Sequence, residues 1–178
     1  RGALTQLPKS AGCLVDRSAP SGACGSARAL KGAGVGFGSR AIAVSPDGRN
    51  VYVASSKSNA IAIFRRNAKT GKLTQPKGPA GCIASRGPSS CAVAVGLDGP
   101  NSVAVSPDGR NVYATSRGAS SLTVFSRNPK GGGLTQLPAG FGCISGLPVP
   151  VCSSGRALID RDVVVLSPDG LSVYVGAF

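Results

Sequence analysis

The sequence predicts an all-β protein assembled from repeated four-stranded antiparallel modules. Three observations carry that expectation. The stretch AVSPDGRNVY stands at 43–52 and recurs letter for letter at 104–113, with a looser copy, VLSPDGLSVY, at 165–174. The turn serines Ser45, Ser106 and Ser167 are evenly spaced, 61 residues apart both times, which is the mark of a modular array. Gly (26) and Pro (13) are plentiful and recur at regular places, as in turn-rich β structure rather than disorder.

Each module divides into short strands. AIAV (41–44), SVAV (102–105) and VVVL (163–166) are almost wholly apolar and read as innermost strands buried on both faces. SPDG then turns the chain: Pro presets φ, Asp bonds the backbone ahead, and Gly accepts a positive φ. NVYVAS (50–55) and NVYATS (111–116) are second strands, and AIAIF (60–64) and SLTVF (121–125) are third strands. After the NAKTGK and NPKGGG turns, KLTQ and GLTQL form short outer strands, and no segment has a convincing helical period. LTQ begins at Leu73 and Leu134, with a first copy at Leu4.

These residues resemble the YVTN and lactonase-like β-propeller repeats. The pattern A-V-S-P-D-G-R-x-V-Y-V, then x-I-x-I-F-x-R-x-x-x-T-G-x-L-T-Q, stands in full at 43–75 and with small changes at 104–136. The YVTN core itself is altered, to Tyr52-Val53-Ala54-Ser55 and Tyr113-Ala114-Thr115-Ser116. The resemblance implies a β-propeller of four-stranded antiparallel blades, with about 2.5–3 blades in this chain. The expected division is 1–40 (outer strand and connector), 41–101 and 102–162 (a blade with its connector each), and 163–178 (half a blade). A closed propeller needs about four to eight blades. The ring is therefore expected to be completed by another copy, two copies supplying nearly six blades, or by further sequence. Self-association or a complementary propeller fragment is the expected partnership.

The six cysteines fall into the local pairs Cys13/Cys24, Cys82/Cys91 and Cys143/Cys152. Six cysteines allow fifteen pairings, and the repetition favours these three. Each bond closes a loop of about ten residues, worth roughly 2.7 kcal/mol in the chain-entropy model. Disulfides point to a secreted, periplasmic or cell-surface location. A signal peptide, if there is one, is expected to lie upstream or to have been removed. With no His and no C-x-x-C, a zinc site is not expected. One carboxylate per turn is too few for a calcium site. No metal and no cofactor is expected.

Lys and Arg number 20 against seven acids, all Asp, for a net charge of +13. That balance suits an anionic ligand such as an acidic glycan. Nucleic acid is disfavoured, because 3 Tyr, 5 Phe and no Trp leave few stacking side chains. No apolar run reaches the roughly 18 residues of a membrane-spanning helix. The propeller resemblance places the disulfide connectors and the second-to-third turns on the ligand face. Candidate ligand residues there are Arg40, Asn101 and Asp162 before the inner strands, Lys57, Asn59 and Arg117 from the turns, and Arg28 and Arg156, each four residues past a cysteine.

Lactonase-like relatives are expected to use His, Glu and Arg. This chain has neither His nor Glu, which removes the usual base near neutral pH. Only a burial-raised Asp would serve, with Asp98, Asp160 and Asp162 the candidates, whereas Asp47, Asp108 and Asp169 read as turn residues. No catalytic residue is assigned. Gly34, Gly36, Gly38 and Gly131-Gly132-Gly133 read as loops, since no phosphate-binding helix follows them. The expectation is an extracytoplasmic binding or scaffold module. A lactonase-like hydrolase active only as a completed ring, or a self-assembling surface protein, are the alternatives.

Overall fold

The structure, a computed structural model, describes residues 3–33, 40–85, 90–156, 158 and 161–177, with 161, 162 and 177 described by backbone alone. Two six-stranded sheets form its centre. The first holds β3 (Ile42–Val44), β4 (Asn50–Ser55), β5 (Ala60–Arg66), β6 (Leu73–Thr74), β7 (Cys82–Ala84) and β8 (Ala92–Val93). The second repeats it with β9 (Pro100–Val105), β10 (Asn111–Ser116), β11 (Ser121–Arg127), β12 (Leu134–Gln136), β13 (Cys143–Ser145) and β14 (Ser153–Ser154). Before them stands the pair β1 (Leu14–Asp16) and β2 (Gly25–Ala27), and after them the pair β15 (Arg161–Leu166) and β16 (Val173–Ala177). These are propeller blades, two of them whole.

The hairpin that recurs three times is the same hydrogen-bonded object each time. The Ser45 hydroxyl donates to Asp47 and accepts from the Asn50 N–H at 2.9 Å, while Asp47 accepts the Arg49 N–H at 3.1 Å. Ser106 with Asp108, and Ser167 with Asp169, repeat it. The turn glycines Gly48, Gly109 and Gly170 have φ of 67°, 70° and 74°, a region costly for any residue with a Cβ. Each letter of SPDG thus satisfies a backbone requirement.

The fourth strand differs from the single outer strand expected. It is broken into two pieces along β5, with β6 opposite Arg65–Arg66 and β7 opposite Ala60–Ala62. The disulfide connector then adds a fifth strand, β8, parallel to β7. β12, β13 and β14 repeat the arrangement, and β1 and β2 show the same parallel pairing. Parallel neighbours ordinarily need a crossover of a dozen or more residues. Here the link is shorter, and Cys13–Cys24, Cys82–Cys91 and Cys143–Cys152 are bonded where the paired strands begin.

The first two stapled flaps each cover the next blade. Ala27 and Leu14 pack with Val51, Val53, Ala62 and Phe64, while Ile83, Ala94 and Leu97 join Val112, Ala114, Phe125 and Leu134. Alternate residues of β4 therefore face opposite cores: Val51 and Val53 one way, Tyr52 and Ala54 the other. The second and third strands of the first blade are both buried on two sides, with Ile61 and Ile63 of β5 in one core and Ala62 and Phe64 in the other. The inner strand β3, expected to be so, leaves Ile42 63% exposed, because the β1–β2 flap covers β4 and β5 but not β3.

Replacing Cys82 and Cys91 together by Ser is expected to cost about 2–4 kcal/mol in denaturant unfolding and to speed amide exchange across 82–93. Unchanged stability would show that the flap needs no staple.

Candidate functional site

The connector end of the blades is a knitted surface. Asn59 ends the second-to-third turn in the left-handed region, at φ 48°. Its Oδ1 accepts the Gly99 N–H at 2.8 Å, and its carbonyl accepts the Ser85 N–H at 3.0 Å. The Gly99 carbonyl in turn accepts from the Arg117 N–H at 3.1 Å, and Asp98 O accepts from Ala119 at 3.2 Å. The Ser145 hydroxyl donates to the Ala119 and Ser120 carbonyls, both at 3.0 Å. Disulfide connectors and second-to-third turns therefore share one end, and Asn59, Asp98 and Arg117 meet around Gly99.

Beside them opens a groove of about 540 Å³ lined by Val93, Val95, Asp98, Leu147 and Val149 among others. Its walls are apolar, Val93 being 81% exposed, and Asp98 is its one carboxylate among the described lining residues. Lys57 is exposed on the neighbouring turn, and Arg117 and Arg156 are exposed as well.

The other candidates lie elsewhere. Arg40 is exposed on a hollow of about 730 Å³ between the inner strands, with Ile42, Val44, Pro107 and Val165. Asn101 is buried within β9 rather than before it, and its Oδ1 accepts the Thr115 hydroxyl at 3.2 Å. The Arg28 guanidinium donates to Pro76 O at 2.7 Å, Gly78 O at 3.2 Å and Ser90 O at 3.4 Å, which occupies it in holding the flap. Asp160, and the side chain of Asp162, lie outside the described residues. No group of three or more metal-ligating side chains occurs among the described residues.

Two sets of residues escaped the reading of the sequence. Gln75 bonds both the N–H and the carbonyl of Arg28 (2.8 and 3.0 Å) and reaches Gly81 O at 2.9 Å, so it bridges the break in its own strand and fastens the preceding flap. Gln136 does the same with Val95 and Gly142. The second set is an arginine clamp between blades. Arg127, 6% exposed at the end of β11, donates to Asp47 at 2.8 Å, Asn50 at 2.7 Å, the Tyr52 hydroxyl at 2.9 Å and Gly109 O at 2.9 Å. The Tyr52 hydroxyl passes on to Gly132 O at 2.9 Å. Gly132, at φ 79°, lies so close to the Asn50 amide that a Cβ would collide with it. Recurrence was the available signal, at Gln6, Gln75 and Gln136 and at Arg66 and Arg127.

The aspartates in turns are tuned for structure. Desolvation pushes the Asp47 carboxyl upward, but the Ser45 hydroxyl, Arg127 and the Arg49 N–H outweigh it and hold it at about 2 against an ordinary 3.8. Hydrogen bonds from Ser106 and Ser167 lower Asp108 and Asp169 in the same direction. Asp16, opposed by desolvation, is lowered by Ser18 and by the Leu30 N–H. Burial drives the Tyr52 hydroxyl up to about 12 despite the Arg127 charge. None of these five groups is poised to exchange a proton near neutrality.

The fold and this clamped blade stack define the class, a β-propeller. The family model described as "Lactonase, 7-bladed beta-propeller" matches residues 34–84 and 86–139, more than half of the chain, and the chain belongs to that family. Three solved structures share the fold. A Bacteroides fragilis protein described as a candidate 6-phosphogluconolactonase aligns with TM-score 0.54 and 21% identity, over 80% of this chain and 32% of its own. A Bacteroides uniformis protein described in the same way gives 0.51 and 18%, over 78% and 33%. The periplasmic gluconolactonase of Pseudomonas aeruginosa gives 0.50 and 20%, over 77% and 33%. The chain thus spans about a third of their length. No curated protein sequence matches it.

Because Asp47 is held at about 2, its contribution to stability is complete above its ordinary 3.8 and is lost as pH falls through about 2. Thermal melts between these limits are expected to show a falling Tm, with a shallower fall in Asp47→Asn. Parallel curves for the two proteins would contradict this origin.

Proposed function

We propose that the chain is an extracytoplasmic binding module whose ligand sits at the connector end, in the groove between the disulfide-stapled loops. One observation carries this reading. Asp16, Asp47, Asp108 and Asp169 are bound into turns, while the connector end presents a formed apolar groove that Asp98 and Gly118 help to line, Gly118 adjoining exposed Arg117 in sequence. A shaped apolar cleft with a few polar groups is the usual form of a small-ligand site. With the net charge of +13, an acidic sugar or glycan is the class of ligand that suits it. The three disulfides support an oxidising compartment. Membership of the lactonase propeller family supports a second reading, hydrolysis of a sugar lactone by a completed ring.

Titration with an acidic oligosaccharide and a gluconolactone assay on the same preparation separate the two. Binding is expected to weaken about tenfold when ionic strength rises from about 0.05 to about 0.3 M, and further in Lys57→Ala with Arg117→Ala, without lactone turnover. Lactone turnover that falls in Asp98→Asn would establish the second reading and overturn the first.

A further inference from the structure

A second groove, of about 490 Å³, opens where the first flap meets the outer strand of the first blade, and it shares no lining residue with the groove at the connector end. Arg17 and Arg28 line it from the flap, Lys72 and Lys77 from either side of β6, and Ser26 and Thr74 add hydroxyls. No carboxylate occurs among its described lining residues. Arg17, Lys72 and Lys77 are exposed. Arg28 is half-buried, and among the described residues its guanidinium donates only to uncharged oxygens, of Gln75, Pro76, Gly78 and Ser90. Such oxygens satisfy the N–H groups and leave the positive charge whole. Four cations therefore line one groove with nothing there to neutralise them.

The second blade shows that the fold does not require these charges. Gln136 holds the N–H and the carbonyl of Val95 at 2.8 and 2.9 Å, as Gln75 holds those of Arg28 at 2.8 and 3.0 Å. The glutamine fastening runs through the main chain and accepts a valine in place of the arginine. Gly133 precedes Leu134 where Lys72 precedes Leu73, and Pro138 follows Gln136 by two residues as Lys77 follows Gln75. These three cationic places are thus neutral one blade further on. The corresponding surface between the two whole blades is open as well. Val93, which holds the register position of Ser26, is 81% exposed there, and Pro138 is exposed. The cations are additions to a common frame, and their mutual repulsion opposes folding until an anion offsets it.

We propose that this groove is a second binding site, apart from the connector end, and that it takes a sulfated glycan. The number of cations decides the class. A uronate sugar brings one carboxylate, whereas sulfate esters place several charges on a few sugar units, the density that four cations in a groove of this size match. Lys72 and Lys77 are compact charges on flexible stems and suit sulfates whose spacing varies along a chain. The Ser26 and Thr74 hydroxyls both donate and accept, as bonding to sugar hydroxyls requires. Nucleic acid, the other dense polyanion, needs exposed aromatic faces for its bases. Phe64 is the one aromatic among the described lining residues and is 1% exposed.

The probe is a heparin tetrasaccharide, titrated against the isotope-labelled full chain by calorimetry and NMR at about 0.15 M salt. Saturable binding is expected, with shifts at 14–28 and 72–78. The same tetrasaccharide desulfated and N-acetylated, its uronates kept, is expected to bind about tenfold or more weakly. Lys72→Gln with Lys77→Gln is expected to weaken the sulfated probe about tenfold and to flatten the slope of log affinity against log salt by about one to two, as fewer released counterions require. Arg49→Gln with Lys130→Gln removes the same charge from exposed positions outside the groove and is expected to be neutral. Absence of saturable binding, or equal binding of the two tetrasaccharides, would overturn the proposal. An equal effect of the two double variants would assign the affinity to net charge and overturn it too. Shifts confined to 93–98 and 147–149 would do the same by placing the ligand at the connector end.

Discussion

A buried arginine must be paired, and the stacking of these blades is organised around that requirement. Arg127 is withdrawn from water between two sheets, where an unmatched guanidinium would cost several kcal/mol. The first blade supplies a carboxylate, an amide oxygen and a phenol oxygen from a single hairpin, and the second supplies a carbonyl from the equivalent hairpin. The contact joins residues 80 positions apart and fixes how one sheet lies on the next. The apolar cores do not specify that angle alone, since aliphatic side chains tolerate sliding more readily than a five-donor fork does.

The outer rim meets a different problem. A propeller blade ends in an edge strand, and open edges invite mispairing. Here the edge is broken in two, bridged by a glutamine, and covered by a short parallel strand held by a disulfide. The same glutamine reaches the preceding flap, so rim closure and blade-to-blade contact are one device. The disulfide loops then project at the connector end and wall the groove there.

Much of this was legible. NVYVAS and NVYATS coincide with β4 and β10 to the residue, because alternation and the flanking turns agree. The SPDG turns were readable because each residue type has one mechanical use there. The pieces of the fourth strand and the parallel fifth were not, since strands of two or three residues carry no period. Inner-strand burial failed at Ile42, as composition does not report which face a neighbour covers. At the candidate site, sequence order brought Asn59 and Arg117 to one place. It gave no sign that Arg28 and Asn101 were already engaged, because their partners lie on other strands and flaps. Nothing in the sequence singled out Arg127, because its partners Asp47 and Tyr52 belong to another blade.

The central claim is that Arg127 and Asp47 couple the two blades. A double-mutant cycle with Arg127→Met and Asp47→Asn, read by denaturant unfolding, tests it most directly. Solvent reaching Asp47 tempers the pair, so a coupling energy of about 1–2 kcal/mol is expected, with Arg127→Met alone costing more than Asp47→Asn alone. Additive effects, within about 0.5 kcal/mol, would contradict the account and leave the apolar faces to set the blade stack.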